Sequence, residues 1–172
     1  MLRVSLTDLR RAGSLLVKHR IHEDDPLWAG VDLVLGGPVK VHVVVTGAAA
    51  GQVLASGQAD APLVHECRRC LERVDRPFEQ QLELCWSAAD QLSDDPGANT
   101  GIRVLEWGAD AVELGEAIRE ELVLAAPRYV LCQEDCRGFC PGCGTNLNDE
   151  QCECVTSERD PRWDALRALK KQ

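Results

Sequence analysis

CQEDCRGFCPGCGTNLNDEQCEC, residues 132 to 154, holds six of the chain's nine cysteines in 23 residues. The spacing is Cys132-x3-Cys136-x3-Cys140-x2-Cys143, then Cys152-x-Cys154, with Pro141, Gly142 and Gly144 around the central pair. A structural zinc takes four ligands in a tetrahedron at a Zn–S distance of about 2.3 Å, so its thiolates must converge in pairs from tight turns. Glycine beside such a turn reaches positive φ without a Cβ clash and lets backbone amides point at the sulfurs. Gly142 and Gly144 stand where that is needed. Cys152-x-Cys154 demands a backbone bend, because residues two apart on a strand share a face yet lie too far apart to chelate. A disulfide-stapled subdomain or free thiols is the alternative, and spacing and compartment weigh against it.

Working outward, 172 residues with 45% apolar content suit one domain, or a domain with a small appendage. The opening MLRVSLTDLRRAGS has no apolar run of signal-peptide length, and no stretch is long and apolar enough to span a membrane. The expected localisation is cytoplasmic, where thiols stay reduced. A net charge of −9 argues against coating nucleic acid through bulk electrostatics. The charge is uneven, however. Residues 1 to 20 carry Arg3, Arg10, Arg11, Lys18 and Arg20 against Asp8 alone, residues 159 to 172 are also basic, and the acids concentrate in residues 83 to 154.

Residues 4 to 11 (VSLTDLRR) fit a short helix capped by Ser5, with Leu6 and Leu9 at i, i+3. Residues 12 to 30 read as a connecting loop holding His19 and His22 as solvent-exposed side chains. Residues 31 to 35 (VDLVL) and 39 to 46 (VKVHVVVT), joined by Gly36-Gly37-Pro38, read as a hairpin. In its second run Val39, Val41, Val43 and Val45 face one way, and Lys40, His42, Val44 and Thr46 the other. After a turn at residues 47 to 51, residues 52 to 58 form a weaker strand and residues 61 to 66 run into Cys67. Residues 77 to 86 put Phe78, Leu82, Leu84 and Trp86 on one face and should pair with the strand before Cys67, leaving Cys67-x2-Cys70 at a hairpin tip. Cys85 has the opposite phase and reads as an unligated thiol. Residues 87 to 101 are a polar loop and a candidate for disorder, and residues 102 to 106 suggest one more strand. A helix follows, with Asp110 as N-cap, Glu113 completing a capping box, and Leu114, Ile118 and Leu122 flanked by Ala111 and Ala125 as its buried stripe, ended by Pro127. Past the cysteines, Asp160-Pro161 caps a second short helix with Trp163, Leu166 and Leu169 on one face and Arg162, Arg167, Lys170 and Lys171 beside them.

The expected fold is α+β: an antiparallel sheet or partial barrel with a few helices and a C-terminal Cys-rich zinc-binding segment. Residues 1-128 form the β-rich domain, and residues 129-172 form the Cys-rich segment and C-terminal helix packed on it. Cys67 and Cys70 bring the grouped thiols to eight, enough for two tetrahedral sites, with Cys85 left over. The preferred division places Cys140, Cys143, Cys152 and Cys154 in a local knuckle and joins Cys67 and Cys70 to Cys132 and Cys136; His65 is the candidate substitute for one thiol. The cofactor is structural zinc, one or two ions. Closed sites of this kind contribute folding free energy and leave no open position for a hydrolytic water. Arg68, Arg69, Arg73 and Arg76 cluster at the C-x-x-C hairpin and could pair with phosphates, while Glu66, Glu72 and Asp75 partly cancel them; a salt-bridged hairpin is the plain alternative.

Taken together, Cys67-Arg68-Arg69-Cys70-Leu71-Glu72, Leu122 to Pro127 (LVLAAP), the block CxxxCRGFCPGCGTNLN, the CEC ending and Asp160-Pro161-Arg162 resemble the YceD family, from about residue 30 onward. These bacterial and plastid proteins are described as large ribosomal RNA subunit accumulation proteins. The resemblance implies a cytoplasmic, non-enzymatic factor supporting synthesis, processing or stability of large-subunit (23S) ribosomal RNA. Its partners would be ribosomal RNA or large-subunit assembly intermediates, met directly or through a ribosomal protein. It supplies no catalytic residue, membrane or small-molecule substrate. Two other classes stay open: a thiol redox protein, which needs an exposed low-pKa thiolate best placed at a helix N-terminus, and a zinc-stabilised protein-binding adaptor.

Overall fold

In the computed structural model, which describes residues 2–48 and 51–154, the chain opens with strand β1 (Arg3–Ser5) and helix α1 (Leu6–Ala12). The Ser5 hydroxyl accepts from the Asp8 amide at 3.3 Å, and Leu6 and Leu9 are buried, a side-chain cap and an apolar face arising from one short motif. Strands β2 (Ser14–Ile21), β3 (Val39–Gly47), β4 (Val53–Glu66), β5 (Arg73–Ala88) and β6 (Ile102–Leu105) form one sheet in the order β2-β3-β4-β5-β6. Strand β7 (Ala111–Glu113) pairs antiparallel with β1 in a second, two-stranded sheet and runs into helix α2 (Leu114–Ala125). The fold is α+β, with antiparallel β2/β3 and β3/β4 pairs and a parallel β5/β6 pair.

Burial follows the period of two. Val39, Val41, Val43 and Val45 of β3 face the core with Val53, Ala55, Ala59, Ala61 and Leu63 of β4 and Leu82, Leu84 and Trp86 of β5. Leu114, Ile118 and Leu122 of α2 complete the core; burying each such side chain is worth about 1.5–3 kcal/mol. At Gly57, a Cβ would lie 2.1 Å from the His42 carbonyl oxygen, so close approach of β3 and β4 requires glycine there.

Five local expectations are corrected. Residues 14 to 21 are not loop but edge strand β2, laddered to β3 from Ser14 opposite Thr46 to Ile21 opposite Val39. Of its side chains Ile21 alone is buried, so no alternation announced it. Residues 31 to 35 form no hairpin with β3, whose two edges are taken by β2 and β4; they leave one bridge, Leu35 to Leu63. Helix α2 starts at Leu114, because pairing with β1 draws Ala111–Glu113 into β7, and neither Asp110 nor Glu113 caps it through a side chain. Ala125 is exposed, and Ala117 takes the inward place. The loop after β5 holds two short 3-10 turns, Ala89–Gln91 and Pro96–Asn99, and the Asn99 side chain donates to the Ser93 carbonyl at 2.7 Å. The helix expected over residues 160 to 172, with Trp163, lies outside the described residues.

Backbone proximity divides the chain into two compact units: the chain up to His65 together with Asp75–Arg128, and Glu66–Val74 together with the chain from Tyr129 onward. Among the described residues no helix is long and apolar enough to cross a membrane.

Candidate metal centres

Strand β4 ends at Glu66 and β5 begins at Arg73, so Cys67 and Cys70 occupy the turn between them. The turn is closed by backbone bonds from the Cys67 amide to the Glu72 carbonyl at 2.8 Å and from the Leu71 amide to the Cys67 carbonyl at 2.9 Å. It places Leu71 at φ 57°, the left-handed region, and aims the Arg69 amide at the Cys67 sulfur, 3.5 Å away. The segment from Tyr129 is stitched to this turn. Arg68 donates its amide to the Val130 carbonyl at 3.0 Å, Phe139 its amide to the Arg69 carbonyl at 3.2 Å, and the Arg69 guanidinium donates to the Cys136 carbonyl at 2.7 Å. Gly138, at φ +72°, permits this approach: a Cβ there would meet the Arg69 carbonyl oxygen at 2.8 Å.

These bonds bring four sulfurs together. Cys67, Cys70, Cys132 and Cys136 have their Sγ atoms within 4.8 Å of one another, with Cys67 to Cys136 at 3.7 Å and Cys70 to Cys132 at 3.5 Å. A zinc tetrathiolate with 2.3 Å bonds has sulfur–sulfur edges of about 3.8 Å, so the donor set has the size of a coordination shell. Val74 and Leu131 pack against it.

Cys140, Cys143, Cys152 and Cys154 form the second set, again within 4.8 Å. Its turn repeats the first: the Gly144 amide donates to the Cys140 carbonyl at 2.9 Å, Gly144 has φ +75°, and the Gly142 amide points at the Cys140 sulfur at 3.4 Å. Residues 151 to 154 are neither helix nor strand, which frees Cys152 and Cys154 to turn toward one another. Cys140 is buried, whereas Cys143 and Cys154 are exposed.

Thiol electrostatics differ within each set. Burial pushes the Cys67 thiol up, yet the amides of Arg69, Cys70 and Cys132 outweigh it and bring it down to about 6. The Glu72 amide pulls Cys70 down, but burial and the neighbouring thiols Cys67, Cys132 and Cys136 drive it up to about 12. In the second set the Thr145 hydroxyl and amide lower Cys143 to about 6, and Cys143 and Cys140 together raise Cys154 to about 12. The Cys143 and Gly142 amides lower Cys140 as well, so each set mixes favoured thiolates with thiols held protonated by burial and by one another, a condition that a divalent cation reverses. Each set could hold a metal ion.

Asn148 is a site residue the spacing did not single out. Its amide donates to the Cys136 sulfur at 3.4 Å and its carbonyl oxygen accepts from the Arg137 amide at 2.8 Å; an Asn in a cysteine-rich loop was the one available signal. Cys85 is half-buried and His65 keeps an unpartnered buried Nε2, and neither belongs to a set. Arg68 stacks over Tyr129 at 4.3 Å, Arg69 is tied to Cys136, and Arg73 and Arg76 have partners of their own.

The family model described as "Large ribosomal RNA subunit accumulation protein YceD" matches residues 55–170. An uncharacterized protein of Mycobacterium tuberculosis (strain ATCC 25618 / H37Rv) is 29% identical over 162 residues, covering 91% of this chain and 75% of that protein. One of Mycobacterium leprae (strain TN) is 29% identical over 126 residues, covering 69% and 54%. "Large ribosomal RNA subunit accumulation protein YCED homolog 1, chloroplastic" of Arabidopsis thaliana is 31% identical over 61 residues, 36% of this chain and 19% of that protein. No solved structure matches the chain at comparable significance.

Proposed function

The chain belongs to the YceD family, and from that premise we propose that it is a bacterial, cytoplasmic, non-enzymatic factor that supports synthesis, processing or stability of large-subunit 23S ribosomal RNA. The observation that carries the reading is the match over residues 55–170, a span that includes all eight grouped thiols. Its partner is ribosomal RNA or a large-subunit assembly intermediate, reached directly or through a ribosomal protein.

Zinc is the cofactor. Cys67, Cys70, Cys132 and Cys136 would hold one ion and Cys140, Cys143, Cys152 and Cys154 another, each supplying cross-linking and charge neutralisation. Four thiolates fill a tetrahedral shell and leave no position for a reacting water, which supports a structural role. The protein's own groups prepare each site: turn amides aim at Cys67 and Cys140, and the Asn148 amide donates to Cys136.

The test is depletion of the protein in its host. The expected result is a fall in 23S relative to 16S ribosomal RNA with fewer mature large subunits, restored by the wild-type gene and not by one lacking Cys67 and Cys70. Unchanged 23S levels after depletion would sink the reading. Zinc content on chelator-free protein tests the cofactor separately, with about two ions per chain expected.

A further inference from the structure

The outward faces of β2 and β3 bring cations together that are far apart in sequence. Cross-strand partners Arg20 and Lys40 lie beside the pair Lys18 and His42, followed by Leu16 and Val44. All six side chains are exposed. Cross-strand neighbours sit about 5 Å apart and alternate residues along a strand about 7 Å apart, so Lys18, Arg20 and Lys40 form one compact positive patch. None of the three is in an ion pair among the described residues. The acids on neighbouring strands are Asp60, which is the Cα partner of Lys40 and accepts from the Gln58 side chain, Glu66 of β4, and Asp75, Glu79 and Glu83 of β5, of which Asp75 has a partner of its own. On a chain of net charge −9, a patch of three cations outside any ion pair among the described residues is a local exception.

A second feature adjoins it. Lys40 also lines a concave site of about 640 Å³, walled by Pro38, Pro62 and Pro77, with the carboxylates Asp60 and Glu79 on its lining and Phe78 turned toward the core beneath it. Apolar walls next to a cation suit an unpaired nucleobase attached to a phosphate backbone, with Asp60 and Glu79 left as the borders the phosphates must avoid. The arginines at the C-x-x-C turn are less available: Arg69 is committed to the Cys136 carbonyl, Arg68 lies on Tyr129, and Arg73 and Arg76 have partners.

We propose that this sheet face binds single-stranded RNA, with Lys18, Arg20 and Lys40 on consecutive phosphates and one base lodged against the proline wall beside Lys40. The inference rests on the ribosomal RNA reading and gives it a site: the outer face of the β2–β3 pair makes the RNA contact. The sequence of the RNA is not read there, since the cations address phosphates and the walls accept any base face.

The experiment is fluorescence anisotropy of the zinc-loaded full chain with a fluorescein-labelled single-stranded RNA of about 12 nucleotides, within the site size such surfaces cover. Wild type is compared with the triple variant Lys18→Gln/Arg20→Gln/Lys40→Gln and with Arg10→Gln/Arg11→Gln, which removes charge from exposed positions on α1. The triple variant is expected to bind at least tenfold more weakly at moderate salt, and the slope of log affinity against log salt to flatten by about 2, at about 0.7 for each phosphate no longer neutralised. The α1 variant should keep the wild-type slope. Circular dichroism and melting check that each variant is folded. Equal weakening in the triple and α1 variants, or none in the triple, overturns the proposal. Wild type that ignores the RNA yet co-sediments with large-subunit precursors after nuclease treatment also overturns it, points to a protein partner, and leaves the ribosomal RNA reading intact. Failure of that reading shows instead in the depletion experiment, whatever the anisotropy gives.

Discussion

The two cysteine turns share a backbone and differ in surroundings. In each, the residue after the second cysteine is left-handed, its amide closes on the first cysteine's carbonyl, and an amide two residues beyond the first cysteine faces that cysteine's sulfur. The first turn uses Leu71 in the left-handed place and draws its other two thiols from a distant part of the chain; the second uses Gly144 and takes all its thiols from 15 consecutive residues. Cys67, Cys70 and Cys136 are buried, whereas Cys143 and Cys154 are exposed. A local set can form from a loop alone, while a long-range set requires tertiary structure and in return fixes it. The first set should therefore be the structural one, and the second the exchangeable one.

Ligand removal should break that contrast first if it is wrong. Cys136→Ser is expected to halve zinc content and abolish cooperative melting of the second unit, because the metal joins segments far apart in the chain. Cys154→Ser should halve zinc content with a much smaller drop in melting temperature. Equal drops would make the two sets equivalent.

Acid and chelator sharpen the same point. In the metal-free chain, a thiol lowered to about 6 contributes stability present above its ordinary value of 9.0 and lost as pH falls through 6; Cys67 and Cys143 are of this kind. Cys70 and Cys154, raised to about 12, act oppositely: their contribution is complete below 9.0 and lost as pH rises toward 12. A bound metal would hold all four as thiolates, so protons compete with it and acidification below the metal-free values of Cys67 and Cys143 releases it. Followed with a chromogenic chelator, release should be biphasic, the exposed set first, with Cys154→Ser removing the fast phase. A single phase would refute the order.

Glycine substitutions probe the backbone beneath. Gly138→Ala combines φ +72° with a 2.8 Å clash on Arg69 and should destabilise by about 2–3 kcal/mol. Gly144→Ala, at φ +75° with open space, should lose about 1 kcal/mol. The smallest effect belongs to Leu71→Gly. Relief of left-handed strain is about 1–2 kcal/mol, and the added freedom of the unfolded chain offsets about 1 of it, so thermal melts should show little change or a slight gain.

Legibility in the sequence followed how local each signal was. The alternation in residues 39 to 46 and the i, i+4 row Leu114, Ile118, Leu122 come from periodicity within one element, and both are buried as that predicts. Strand β2 was hidden because an edge strand with Lys18, His19 and Arg20 buries little and is defined by its partner. The start of α2 was misread because the capping-box pattern at Asp110 and Glu113 competes with a pairing to Arg3–Ser5, more than a hundred residues earlier. The parallel β5/β6 pair was likewise invisible to local pattern. Counting cysteines brought the two thiol sets within reach, since paired spacing is itself a chemical constraint. Asn148, the stacking of Arg68 on Tyr129 and the cationic face were not, because each depends on residues meeting across the fold.

The first thiol set also imposes a schedule on the growing chain. Cys70 precedes Cys132 by 62 residues and Cys67 precedes Cys136 by 69, which at about 5–20 residues per second is a wait of roughly 3–14 s during synthesis. Throughout that interval Cys67 and Cys70 are half a site, two thiols with no tetrahedron to join. Commitment of the second unit is thus a late event set by the arrival of Cys132 and Cys136, and on the zinc reading proposed above the supply of that ion at that moment would set how much newly made protein is completed.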